Sequence, residues 1–167
     1  MMSLALGDKI SHHLSLPLCL PATFLRCCAV CHSNRVNAKV YGVEDRIDFV
    51  CSDAYDILNT LIPPCEPDGA PGVSKVDAVL LAPPWGGPEY SAYDQFDMST
   101  GFPSGDGLEL IKLAYKVSKN VICVFPKNIM KEQVHALMEE LGAKCRVEEI
   151  CMYNKHKLSI LYFGHLC

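Results

Sequence analysis

VDAVLLAPPWGGPEY, residues 76–90, is the stretch that decides the fold. Its first six residues, Val76–Leu81, form a short apolar run rich in branched side chains. That pattern predicts a strand buried on both faces of a parallel sheet. Pro83 and Pro84 have no N–H to give a ladder and end the strand abruptly. Gly86 and Gly87 then permit backbone angles, and a close approach of ligand to backbone, that a side chain would forbid. Between prolines and glycines stands Trp85, the single tryptophan of the chain. It is expected on a stiff turn at the carboxyl end of a central strand, where open α/β sheets bind their ligands. An ordinary turn whose indole plugs the core edge is the plainer alternative, but it would not require so costly a run of Pro and Gly.

Downstream, residues 91–106 carry Tyr93, Phe96 and Phe102 among Asp, Ser, Gly and Pro. They are expected either to cover a substrate as a lid or to serve as satellites of the core. A helix is predicted over 106–117, a buried strand over 120–125 ended by Pro126, and an amphipathic helix over 131–141 stopped by Gly142. Residues 145–152 and 158–163, joined by 153–157, read as a terminal antiparallel hairpin. Upstream, the Pro/Gly-rich residues 63–74 form a surface loop. A helix is expected over 54–61 and a strand over 46–51, with Ile47, Phe49 and Cys51 alternating against Arg46, Asp48 and Val50. Asp53 closes that strand and is positioned to cap the following helix. A further helix is expected from about residue 22 to 41, running into Gly42.

The chain has 167 residues, half of them hydrophobic and 20% charged, which suits one globular domain with a real core. No apolar run approaches the length of a membrane span. A formal charge of −4 argues against a broad, non-specific nucleic-acid surface but leaves room for local recognition of one charged nucleotide. The ten cysteines are expected to be reduced, in an intracellular compartment. Several of them (Cys51, Cys123, Cys145, Cys151) are expected to act as small hydrophobes. Cys28-Ala-Val-Cys31-His32 matches a haem-attachment signature and half of a zinc site. Neither a cytochrome-like context nor a second ligand pair accompanies it, so a buried helix face is the preferred reading.

The segment from Ala82 to Tyr90 resembles the [DNS]-Pro-Pro-[aromatic] motif of S-adenosylmethionine-dependent methyltransferases that act on planar exocyclic amines. More closely, it is similar to the trimethylguanosine synthase family of RNA cap guanosine-N2 methyltransferases. NAKVYGVEDRIDFV (37–50), FPKN (125–128) and LSILYFG (158–164) carry the same resemblance, which spans about residues 34–164. It implies a Rossmann-like α/β methyltransferase sheet ending in an antiparallel hairpin. It also implies an enzyme that converts 7-methylguanosine caps to 2,2,7-trimethylguanosine, with S-adenosylmethionine as methyl donor. The implied partner is capped RNA of the small nuclear or nucleolar type, in the nucleus with the cytoplasm as a second compartment, with no membrane or metal partner. The resemblance assigns Ala82, Pro83, Pro84 and Trp85 to the catalytic segment. Pro83 and Asp53 would touch the cofactor, Asp53 by accepting from the adenine amine. Trp85 would stack on the cap base, Glu89 or an Asp of the following loop would read its Watson–Crick edge, Lys127 would meet the cap phosphates, and Asn128 would belong to the same substrate-binding set.

Two departures accompany the resemblance. Ala82 stands where the family usually has Ser. No glycine-rich loop of the kind that follows the first strand precedes Asn34, Gly7 being the sole glycine there. The expectation is therefore a divergent segment over residues 1–33 and a partial methyltransferase domain over 34–167. Its first two strands would be absent or replaced by residues 1–33. A non-catalytic cap-binding or interaction module is the alternative function.

Overall fold

The structure is a computed structural model that describes residues 2–6, 20–25, 28–70, 72–85, 94–102 and 105–167. In chain order the elements are β1 (Met2–Leu6), β2 (Leu20–Leu25), α1 (Cys28–Val40), β3 (Asp48–Cys51), α2 (Ala54–Leu61), β4 (Val76–Leu81), α3 (Gly107–Val117), β5 (Val121–Pro126), α4 (Lys131–Leu141), β6 (Cys145–Met152) and β7 (Lys155–Phe163). The strands form one sheet in the order β3-β2-β1-β4-β5-β7-β6. Its first five positions reproduce the doubly wound order 3-2-1-4-5. β2 and β3 run parallel, as do β4 and β5, while β7 is antiparallel to both of its neighbours.

Residues from the first 33 supply the two strands that the rest of the sequence lacks, so the sheet has all seven. One of them is reversed. β1 runs antiparallel to β2 and to β4, with Met2 opposite Phe24 and Leu81. The helix expected from about residue 22 is correspondingly shorter. Residues 20–25 are a strand and α1 begins at Cys28, because pairing on both sides overrides a weak local preference. Pro21 is accommodated just ahead of the stretch paired with β3, which starts at Ala22.

Helix boundaries follow their chemistry. Asp53 caps α2 by accepting from the Tyr55 N–H at 2.9 Å, and Asp106 caps α3 by accepting from Leu108 and Glu109. Gly142, at φ +58°, closes α4 with its N–H on Glu139. Side chains of α2, α3 and α4 (Leu58, Ile111, Val117, Val134, Leu137) pack with Val79, Leu81, Val121, Cys123, Phe125, Leu161 and Phe163 into one core.

Among the described residues, this core covers a single face of the sheet. β4 was expected to be buried on both faces, yet Ala78 is half-buried and Leu80 is 37% exposed. Ile122, Val124, Ile160 and Tyr162 on the neighbouring strands are likewise only partly covered. Among the described residues of α1, only Ala38 is buried. His32 is exposed, contrary to the buried helix face expected for it, and the side chains of Cys28 and Cys31 lie outside the described residues. Cys123 is buried and Cys145 partly so, but Cys51 and Cys151 are exposed rather than core hydrophobes. Both sit on the edge strands of the sheet, β3 and β6.

Candidate functional site

β3, β4 and β5 point their carboxyl ends to the same edge of the sheet, and the residues named by the sequence cluster there. Asp53 follows β3, residues 82–85 follow β4, and Lys127-Asn128 follows β5. Leu81, Ala82 and Pro83 pass progressively out of the core, Pro84 is exposed and Trp85 turns back to half-burial. The turn-back has a cause. The indole Nε1–H donates to the Val124 carbonyl of β5 at 3.0 Å, and the ring packs against the core. Two prolines limit the backbone on one side, and the hydrogen bond fixes the ring on the other. The platform is therefore rigid and half-open to solvent. Gly86, Gly87, Glu89 and Tyr93 lie outside the described residues.

The neighbouring loop is built, not loose. Phe96 (4% exposed), Met98 (0%) and Phe102 (7%) are buried. Phe102 meets Phe96 edge-on, with centroids 5.3 Å apart, and Phe125 of β5 at 5.8 Å. Two expected readings of these aromatics were open, and for Phe96 and Phe102 the core satellite is the one observed. The backbone of the loop is stitched to the β5 exit. Phe96 N–H donates to the Asn128 carbonyl at 2.7 Å, and Met130 N–H returns to the Phe96 carbonyl.

Asp97 anchors the next turn. Its Oδ1 accepts from the Ser99 N–H (2.8 Å), the Ser99 hydroxyl (2.6 Å) and the Gln133 side-chain amide (2.6 Å). The Gln133 carbonyl oxygen in turn accepts from Met98 N–H at 2.8 Å. Hydrogen bonds from Ser99 and then Gln133 hold the Asp97 carboxyl well below the usual carboxylate range. A second strut joins α2 to the start of α3, where the Tyr55 hydroxyl donates to the Asp106 carbonyl at 2.6 Å. Burial, and the carboxylates of Asp106 and Asp53, push the Tyr55 phenol upward, so it stays a donor.

The structure thus brings Ala82, Pro83, Pro84, Trp85, Lys127 and Asn128 together on two adjacent strand ends. Lys127 is exposed there and Asn128 half-buried. Asp53 shares the edge but lies three strand spacings from β4, roughly 14 Å away. Sequence reasoning missed Val124, Asp97 and Gln133. Asp-x-Ser is the signature of an Asx turn and could have marked Asp97. A backbone carbonyl such as that of Val124 carries no sequence signal at all.

Residues 26–166 match the family described as RNA cap guanine-N2 methyltransferase. The chain belongs to that family. It is 33% identical over 116 residues to the trimethylguanosine synthase of Saccharomyces cerevisiae, a match covering 66% of this chain and 34% of that protein. The chain therefore spans about a third of the length of this curated relative. Among solved structures, it resembles the human methyltransferase 10 domain containing protein, with TM-score 0.51, 15% identity and coverage of 87% and 60%. It also resembles precorrin 8w decarboxylase of Methanobacterium thermoautotrophicum, with TM-score 0.50, 11% identity and coverage of 86% and 68%. At such identities the structural likeness speaks for the fold alone, a Rossmann-like methyltransferase sheet.

Methyltransferases of this fold generally use S-adenosylmethionine. The described residues fit one end of it and not the other. Asp53 stands at the strand end where an adenine amine could be met. The glycine loop that would cradle the rest normally leaves the carboxyl end of the first strand. Here β1 is reversed, so its carboxyl end, Leu6, lies beside Leu20 and Val76 on the far edge of the sheet.

Proposed function

We propose that this chain carries the acceptor half of an RNA cap guanosine-N2 methyltransferase, acting on 7-methylguanosine caps and leading to the 2,2,7-trimethylguanosine form. The single observation behind this is Trp85, set after two prolines at the end of β4 and tied by its own N–H to β5. A 7-methylguanine ring bears positive charge, and over an indole it gains dispersion plus cation–π attraction, on the order of 1–2 kcal/mol once desolvated. Donation of the indole N–H to a carbonyl polarises the ring further in the favourable sense. In this reading the carbonyls of Ala82 and Pro83 accept from the exocyclic amine and aim it, and Pro84 stiffens the turn. Glu89 reads the guanine edge, Lys127 and Asn128 take the cap phosphates, and Asp53 and Pro83 contact the methyl donor. When bound, S-adenosylmethionine supplies an electrophilic sulfonium methyl, so the chain's own work is positioning and exclusion of water. Small nuclear or nucleolar RNA as substrate, and a nuclear location, belong to the same proposal.

Methyl transfer from labelled S-adenosylmethionine to 7-methylguanosine diphosphate tests it. Incorporation that disappears in Trp85→Ala and persists in Trp85→Phe is expected. Absence of incorporation above a blank, from folded protein, overturns the catalytic reading. The reversed β1 favours a second reading, a cap-binding module without methyl transfer. Titration with S-adenosylhomocysteine separates the two. Micromolar binding supports the enzyme, and no heat alongside cap-dependent quenching of Trp85 supports the module.

A further inference from the structure

The β6–β7 hairpin reaches past the sheet on the same edge as Trp85. β7 pairs with β5 only from Leu158 onward, opposite Pro126, whereas β6 and β7 continue together to Met152 and Lys155. At about 3.3 Å per residue, Lys155 stands roughly 10 Å beyond the last rung shared with β5. A two-residue turn, Tyr153-Asn154, closes the arm, with both residues at positive φ (52° and 57°). That geometry is the type I′ hairpin turn, which favours Asn-Gly and is poor for a bulky aromatic. Tyr153 nevertheless occupies it and is 93% exposed, with Met152 beside it 54% exposed. Packing does not repay the strained backbone, so the fold itself does not explain the ring.

The chemistry around the tip is one-sided. Residues 152–157 contain Lys155 and Lys157 and no acid, in a chain whose formal charge is −4. Two acids lie on the paired strand β6. Glu149 faces His156 at 4.0 Å, and Glu148 interacts with Tyr162 further down the arm. The register shifts at Ile150/Cys151, where Cys151 pairs with His156 and Ile150 with Leu158, leaving Lys157 as a bulged residue. Bulges re-aim side chains and recur beside active sites. His156 Nε2 lies 3.0 Å from the Leu158 carbonyl and 3.2 Å from the Ser159 hydroxyl, which braces the bulge.

We propose that this hairpin is the contact for the single-stranded RNA chain that follows the cap. Tyr153 provides a stacking face for a base, and Lys155 and Lys157 meet backbone phosphates beyond those of the cap. An exposed aromatic flanked by cations is the sequence-tolerant combination that single strands select. The inference rests on the cap reading for its direction along the RNA, though not for the contact itself.

Three ligands test it: 7-methylguanosine diphosphate, a capped decanucleotide and the same decanucleotide uncapped. Tyr153→Asn suits the turn better and is expected to leave the thermal midpoint unchanged or higher. It should weaken both decanucleotides about tenfold, while Tyr153→Phe binds like the natural chain. Lys155→Ala with Lys157→Ala should flatten the slope of log K against log salt by about 1.4. None of these variants should alter binding of 7-methylguanosine diphosphate. Decanucleotides that bind all variants as tightly as the natural chain, or that bind none, overturn the inference. Failure of the diphosphate alone, with the uncapped strand still sensitive to Tyr153, defeats the cap reading and leaves the hairpin contact standing.

Discussion

Replacing Asp97 with Asn tests whether the loop beside the site is held by charge. Three donors converge on one carboxylate oxygen at 2.6–2.8 Å. Hydrogen bonds to a charged acceptor contribute about 1.5–3 kcal/mol each when well shielded. Asp97 is half-exposed, so solvent screening brings this to roughly 1 kcal/mol apiece. Asn keeps the shape and an acceptor oxygen but loses the charge, for a net loss of about 1–2 kcal/mol. For a domain of this size each kcal/mol moves the midpoint by about 2–4 °C, so a drop of about 3–6 °C is expected at neutral pH. The folded pKa is depressed, so the contribution is complete above the ordinary aspartate value, about 3.9. As pH falls below that value the unfolded chain takes up a proton that the folded chain refuses, and the advantage dwindles. Thermal melts of both proteins between pH 7 and pH 3 check this. The gap should be widest near neutrality and narrow on the acid side. A gap under about 1 °C at pH 7, or one that does not narrow by pH 3, refutes the reasoning.

Two further outcomes follow from packing. Gly107→Ala would drive a Cβ into the Phe102 ring and to 2.7 Å from the Met98 carbonyl oxygen. A melt lowered by about 5 °C is expected, in line with 1–3 kcal/mol for overpacking. Alkylation of the native protein at pH 8, mapped by mass spectrometry, should label Cys65 and Cys151, which are exposed, and spare Cys123 and Cys145. Burial pushes the Cys123 thiol well above its ordinary value and that of Cys145 up to about 12, so neither offers a thiolate. Labelling of Cys123 at the rate of Cys151 would contradict the packing.

Much of this architecture was legible because it is written locally. Val76–Leu81 and Lys131–Leu141 have the bounds expected of them, since apolar period and stop residues coincide there. Asp53 and Gly142 announce their caps by residue type alone. What escaped is what depends on partners distant in sequence. Residues 20–25 look helical until β1 and β3 flank them. The open face of β4 could not be read from its own composition, because composition does not say whether a second helical layer exists. The hairpin was expected with a five-residue connection. Lys155 and His156 instead join the ladder, since a bulge absorbs Lys157 and Tyr153-Asn154 suffices to turn. At the site, the strand ends and Trp85 were visible in advance. The stitching through Val124, Asn128 and Gln133 was not, because it uses backbone carbonyls and an unremarkable helix residue.

The two ends of the sheet differ in how they must assemble. β6 and β7 meet across a two-residue turn, so this arm closes at almost no entropic cost and on the microsecond scale of hairpins. β1 meets β4 with Met2 opposite Leu81, a pairing that must wait for nearly half of the chain to be gathered. The platform at Trp85 sits between these regimes, hung from β4 but tied to β5. During refolding, the protruding arm should therefore gain protection from amide exchange before the indole finds its carbonyl, and β1 should be among the last strands to dock.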